Sequence, residues 1–178
     1  MSISFMVLGG ARSATTWCAN WLTTDRTYCF HDPLLEYTKR TLDLVTIPEK
    51  ELGIACTSTL LFPEWFAKHP ARKIMLYREP EEMNRSLEAL GLPVLDIPAH
   101  NARVNEAIKA GIPIWHWESV FEKPTAREIW KHLLPHIPFD EYRHNLLVGM
   151  NVQPQFRRLA VGKEAVMDLI QRTKETIV

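Results

Sequence analysis

The segment of this chain best suited to chemistry is Gly9-Gly10-Ala11-Arg12-Ser13-Ala14-Thr15-Thr16, which follows a short apolar run. A glycine turn between a buried strand and a helix leaves backbone N–H groups facing outward, and these can cradle an anion. Against the phosphate-loop pattern GxxxxGK[ST], Gly9 takes the first glycine position, Ala14 the second, Thr15 the lysine position and Thr16 the Ser/Thr position. The missing lysine argues against ordinary ATP or GTP hydrolysis, because that lysine serves the β- and γ-phosphates. Arg12 offers a cation on the loop instead. The plainer reading is a glycine turn with a threonine-rich helix cap.

Two further groups of residues have types suited to the same chemistry. Lys73 to Tyr77 reads as a strand, and it ends in Arg78-Glu79-Pro80 with Ser86 eight positions after the arginine. An arginine at a strand end and a hydroxyl about two turns into the next helix can converge on one phosphate, the arginine through a forked, charge-assisted contact. The competing reading is a surface arginine and an ordinary helical serine. In Phe30-His31-Asp32-Pro33 an imidazole and a carboxylate stand together at a strand end. Either residue type can accept a proton from an attacking hydroxyl. Asp32 equally suits the cap of a helix opening at Pro33.

These groups need a scaffold, and the apolar pattern supplies one. Strand-length runs at Ile3–Leu8, Tyr28–Phe30, Gly53–Thr57, Lys73–Tyr77 and Ile112–Trp117 alternate with helical stretches. The helices are expected over 14–22, 34–45, 63–69, from Pro80 toward Gly91, 102–110, 126–134 and 164–174. Beyond Pro138 the pattern weakens. Such alternation implies an α/β chain: a single domain over 1–178, in three α/β/α layers around a mostly parallel central sheet. In such sheets ligands bind at the carboxyl ends of the strands. That directs attention to Gly9–Trp17, His31-Asp32, Cys56–Thr59, Arg78 and Trp117-Glu118.

Residues 10–17, Gly-Ala-Arg-Ser-Ala-Thr-Thr-Trp, resemble the 5′-phosphosulfate loop of sulfotransferases, written PKSGTTW or PRSGTT, with Ala11 for proline and Ala14 for glycine. The strand ending in Arg78-Glu79-Pro80, with Ser86, resembles the same family's 3′-phosphate motif. A third segment, Trp115-His116-Trp117-Glu118-Ser119-Val120 followed by Lys123-Pro124, is similar to the family's RYEDL…P stretch. The resemblance spans roughly residues 5–140 and implies a P-loop-type core using 3′-phosphoadenosine 5′-phosphosulfate. It implies that Arg12 stabilises the transferring group and that Ser13, Ala14, Thr15, Thr16 and Trp17 contact the 5′-phosphosulfate, chiefly through backbone. Arg78 and Ser86 would hold the 3′-phosphate. Tyrosylprotein sulfotransferases place a glutamate about twenty positions after the loop arginine, and here that position is Asp32. Asp32 is therefore the first choice of general base and His31 the second. His69, near a helix end, and Glu118, Trp115 and Trp117 read as structural. Phe156-Arg157-Arg158 lies where the family carries a late basic stretch, so Arg157 and Arg158 are candidate cofactor clamps, with a solvated basic face as the competing reading. Two alternatives stay open: a kinase with a degenerate phosphate loop, and a non-catalytic nucleotide-binding protein of the same fold.

Composition narrows the partners. Lys plus Arg and Asp plus Glu both count 21, so the formal charge is zero and no global field favours nucleic acid or anionic membrane. Positive charge for an anion must be placed locally. The 3 cysteines match neither a disulfide framework nor a zinc spacing. No metal is implied by the motifs. A cytoplasmic chain without a signal peptide or membrane span is the expectation. Trp65, Tyr37 and Phe62 could line an apolar acceptor pocket, although aromatics at such positions are usually core. Acceptor and oligomeric state are not encoded in any motif.

Overall fold

The computed structural model describes residues 3–35, 42, 44–57 and 63–150. Tyr37, Phe62, Arg157, Arg158, most of the helix expected over 34–45 and all of that over 164–174 lie outside the described residues.

Five strands form one sheet in the order β2-β3-β1-β4-β5, with every neighbouring pair parallel. They are β1 (Phe5–Gly9), β2 (Thr27–His31), β3 (Glu51–Cys56), β4 (Arg72–Tyr77) and β5 (Ile114–His116). The central strand β1 is buried at every residue, as a parallel strand covered on both faces must be, which explains its unbroken apolar run. Phe5 pairs in register with Gly53 of β3. Its ring lies so close over Gly53 that a Cβ there would stand 2.0 Å from the ring, so this glycine is what lets the phenylalanine lie down on the sheet.

Six α-helices flank the sheet among the described residues: α1 (Thr15–Trp21), α2 (Pro63–Lys68), α3 (Pro80–Glu88), α4 (Ile97–Lys109), α5 (Lys123–Leu133) and α6 (Glu141–Val148). One face is covered by α1, α5 and α6 through Trp17, Trp21, Ile129, Trp130 and Leu147. Phe66 of α2 and Ala107 of α4 join Met6, Leu8, Ile54 and Met75 on the other face. The result is an α/β fold around a parallel sheet, as the alternation of elements predicts. The three cysteines are buried thiols; burial raises the pKa of both Cys18 and Cys29, and the neighbouring Cys18 adds to the rise at Cys29.

Helix α1 is held firmly at its rear. The Trp17 and Trp21 rings lie 5.2 Å apart and Trp21 lies 5.4 Å from Trp130, while Trp17 Nε1 donates to the Leu147 carbonyl at 3.1 Å. At the amino-terminal end of the sheet Glu51 accepts from Ser4 Oγ at 2.7 Å, pairs with Arg72, and lies 2.6 Å from His136 Nε2. That clamp ties β1, β3 and β4 together at the end opposite the carboxyl-terminal loops.

Two helices depart from the sequence expectation. Helix α4 begins at Ile97, not at Ala102, because the Asp96 side chain accepts from Ala99 N at 3.0 Å and Pro98 suits the first turn. Helix α6 forms where the apolar pattern fades, started by Asp140, which accepts from Arg143 N at 2.9 Å. The last expected strand is shorter than its apolar run: after His116 the chain tightens into a 3₁₀ turn over Trp117–Phe121.

Candidate functional site

The strand order fixes where a ligand can sit. The chain leaves β1 toward β2 on one side and leaves β4 toward β5 on the other, although β1 and β4 are neighbours. Loops that diverge from adjacent parallel strands open a crevice at their carboxyl ends. The Gly10–Ala14 loop and Arg78 both lie at that crevice.

Arg12 and Arg78 meet there. Arg12 Nε donates to Ser86 Oγ at 3.0 Å, and Arg78 Nη1 donates to the Arg12 carbonyl at 2.7 Å. The Arg78 guanidinium lies 4.5 Å from the centroid of the Trp117 ring and pairs through Nε with Glu82 Oε2 at 3.2 Å. Arg12, Arg78 and Ser86, taken from two separate motifs, are thus joined by direct hydrogen bonds. Burial, and then the charge of Arg78, hold the Arg12 guanidinium below its ordinary pKa. Crowding two cations in a partly buried crevice is costly, and a bound anion would relieve that cost.

The loop bends sharply to present these groups. Arg12 has φ 66 and Ala14 φ 61, both left-handed, where a residue with a Cβ is strained. Gly10 has a different reason to be glycine: a Cβ there would meet Met83 Sδ at 2.7 Å and His100 Cε1 at 3.2 Å. The loop therefore rests on α3 and α4. Ser13 is fully buried and its hydroxyl faces Met83 Sδ at 3.5 Å, so its side chain points away from the crevice. The Trp17 indole is likewise core, packed on Trp21 and Phe121. Any contact these two make with a ligand is through the backbone.

His100 sits behind this loop, 3% exposed, with neither ring nitrogen hydrogen-bonded to any described residue. Cε1 lies between the two nitrogens, so the edge turned toward Gly10 is the polar one. Burial holds the imidazole below its ordinary pKa and favours the neutral ring.

A second cluster occupies the β2 and β3 ends. His31 Nε2 lies 3.0 Å from Thr16 Oγ1, 3.4 Å from Thr15 Oγ1 and 3.3 Å from Asp32 Oδ2. Asp32, itself left-handed at φ 45, accepts at Oδ1 from the Thr57 backbone N–H at 2.5 Å and from the Thr57 hydroxyl at 2.9 Å. Asp32 thus fastens the end of β3 and lies beside His31. With one oxygen committed to Thr57 and the other beside His31, it is poorly placed to take a proton from an acceptor. The two clusters flank the loop.

The other candidates are elsewhere. His69 ends α2 and its Nδ1 accepts from Ala71 N at 3.1 Å, at the amino-terminal end of β4 and away from the crevice. Trp115 is partly buried against the core, but Trp117 belongs to the site, because its ring carries the Arg78 guanidinium. Glu118 is exposed and lies 3.7 Å from His116 Nδ1. Trp65 packs edge-on against Phe66 and His69 in the second core cluster. Sequence reasoning missed Glu82, Met83 and His100. Glu82 had a readable signal, since it stands four residues before Ser86 and so on the same face of α3. His100 and Met83 had none.

Among the described residues no group of three or more His, Cys, Asp or Glu side chains is placed to hold a metal ion, and no helix is long and apolar enough to cross a membrane. Fold and site together define an α/β protein with a cationic crevice at the carboxyl end of a parallel sheet. In comparisons with known proteins, no family model, no curated protein and no solved structure matches the chain.

Proposed function

We propose that this protein is a sulfotransferase of P-loop-type architecture, moving a sulfuryl group from 3′-phosphoadenosine 5′-phosphosulfate to a hydroxyl or amine. The observation that carries the reading is the joining of its two motifs: Arg12 to Ser86 at 3.0 Å and Arg78 to the Arg12 carbonyl at 2.7 Å. Residues far apart in sequence meet at one crevice, which supports their serving one anionic ligand. Arg12, beside a second arginine in a partly buried crevice, fits a strongly anionic cosubstrate.

The roles follow from the chemistry of these residue types. The cosubstrate supplies the sulfuryl group; as the acceptor oxygen or nitrogen bonds to sulfur, the bond from sulfur to the 5′-phosphate oxygen breaks and negative charge gathers on that oxygen. Arg12, always protonated, can stabilise this charge but cannot donate a proton to it. The Thr15 and Thr16 hydroxyls and the loop backbone orient the 5′ end, and Arg78 and Ser86 hold the 3′-phosphate. His31 takes the role of base and Asp32 orients it. If Nε2–H faces the Asp32 carboxylate, Nδ1 is the nitrogen that accepts the acceptor's proton.

A second reading, a binding protein without catalysis, is favoured by one observation: Ala14 occupies a left-handed position at the loop where the family pattern has glycine. Calorimetric titration with adenosine 3′,5′-bisphosphate and, separately, with ATP and magnesium tests the ligand. The bisphosphate binds, and Arg78→Ala weakens that binding markedly; ATP binding with indifference to the bisphosphate refutes the reading. Radiolabelled sulfuryl transfer to a panel of acceptors then separates enzyme from binder. Loss of turnover in Arg12→Ala and His31→Ala supports catalysis, and equal turnover in both refutes the assigned roles.

A further inference from the structure

Arg78 is held on three sides. Trp117 covers one face at 4.5 Å, the Arg12 carbonyl takes Nη1 at 2.7 Å, and Glu82 Oε2 sits at Nε, 3.2 Å away. The first two contacts fix the plane of the guanidinium. Nε and Nη2 form the side-on fork that receives oxyanions in a bidentate manner, and the Glu82 carboxylate holds the Nε arm of that fork.

Glu82 and Ser86 are four residues apart on α3, so one helical face presents a carboxylate to Arg78 and a hydroxyl to Arg12. The two partners differ in burial. The Arg78 side chain is 19% exposed and that of Glu82 is 42% exposed, so the carboxylate can swing into water while the arginine stays in place. Ion pairs with one half-exposed partner are weak, and separating one is easy.

We propose that Glu82 is the resident counter-ion of the anion site, occupying the fork of Arg78 that a phosphomonoester dianion takes, and that the ligand displaces it. This rests on the reading of Arg78 as a phosphate-binding arginine. Glu82 offsets one of the two arginine charges of the crevice when no ligand is present. It competes for Arg78 when one is bound, so it weakens affinity and hastens release. A purely structural ion pair would act in the opposite sense, because removing it would loosen Arg78 and weaken binding.

The test is calorimetry on the full chain with adenosine 3′,5′-bisphosphate and with inorganic pyrophosphate, for wild type, Glu82→Gln, Arg78→Ala and the double variant, with thermal melts confirming folding. Glu82→Gln is expected to tighten binding about three-fold, the range of an exposed ion pair. That gain should disappear in the Arg78→Ala background. Unchanged or weaker binding in Glu82→Gln, or a gain that persists without Arg78, overturns the proposal. If pyrophosphate binds and responds to Glu82→Gln while the bisphosphate does not bind, the Glu82 role stands and the nucleotide reading falls. If the bisphosphate binds but is indifferent to Glu82→Gln, the reverse holds. Binding of neither probe to any variant overturns both.

Discussion

Replacing His100 with phenylalanine tests how the loop is supported. The imidazole is 3% exposed and its two nitrogens have no hydrogen-bond partner among the described residues. An unpaired buried polar atom costs about 1–3 kcal/mol, and phenylalanine carries none. The replacement adds one ring atom at a buried site, so overpacking returns about 1 kcal/mol of that gain. His100→Phe should therefore be more stable than wild type by about 1 kcal/mol near neutral pH. The pH dependence gives a separate handle. Burial holds the folded-state pKa of His100 below its ordinary 6.5, so as pH falls through 6.5 the unfolded chain takes up a proton that the folded chain refuses. Stability is then lost at up to about 1.4 kcal/mol per pH unit until the folded-state value is passed, and the loss levels off below it. Urea denaturation of both proteins at pH about 7.5 and about 5.5 should show the advantage of His100→Phe widening in acid. A variant less stable than wild type at the higher pH, with the same acid dependence, would show that the ring nitrogens are satisfied and the reasoning wrong.

Two other substitutions probe the backbone. Ala14→Gly removes a left-handed strain of about 1–2 kcal/mol and adds about 0.5–1 kcal/mol of chain entropy, so a net gain of about 0.5–1 kcal/mol is expected in urea denaturation. Gly53→Ala would drive a Cβ to within 2.0 Å of the buried Phe5 ring and should destabilise the protein by about 3 kcal/mol or more, with partial rescue in the Gly53→Ala/Phe5→Leu double variant.

The frame of the fold was legible because its signals are local. Phe5–Leu8 and Ile74–Leu76 are unbroken apolar runs, and Pro80 opens a helix at the position its fixed φ favours. The starts of α4 and α6 were less legible, because a single side-chain cap from Asp96 or Asp140 determines each and the apolar pattern shows neither. At the site, Arg12, Arg78 and Ser86 could be read from spacing, since each stands at a strand end or a fixed distance beyond it. The proposed division of labour between Asp32 and His31 could not, because it depends on Thr57 reaching across from the end of β3. His100 enters only through the packing of α4 on the loop, which no local pattern encodes.

The strand order also has a consequence for how the protein acquires its site. Strand β1 comes first in the chain but ends in the middle of the sheet, between β3 and β4. Until β4 docks, one side of β1 is an unpaired and wholly apolar edge, the type of surface that recruits other chains. Arg78 arrives with that same strand and Ser86 with the helix after it. Closing the exposed edge and completing the cationic crevice are therefore one event, dependent on long-range pairing. An anion bound as proposed, between Arg12 and Arg78, would therefore require β1 to be paired on both sides.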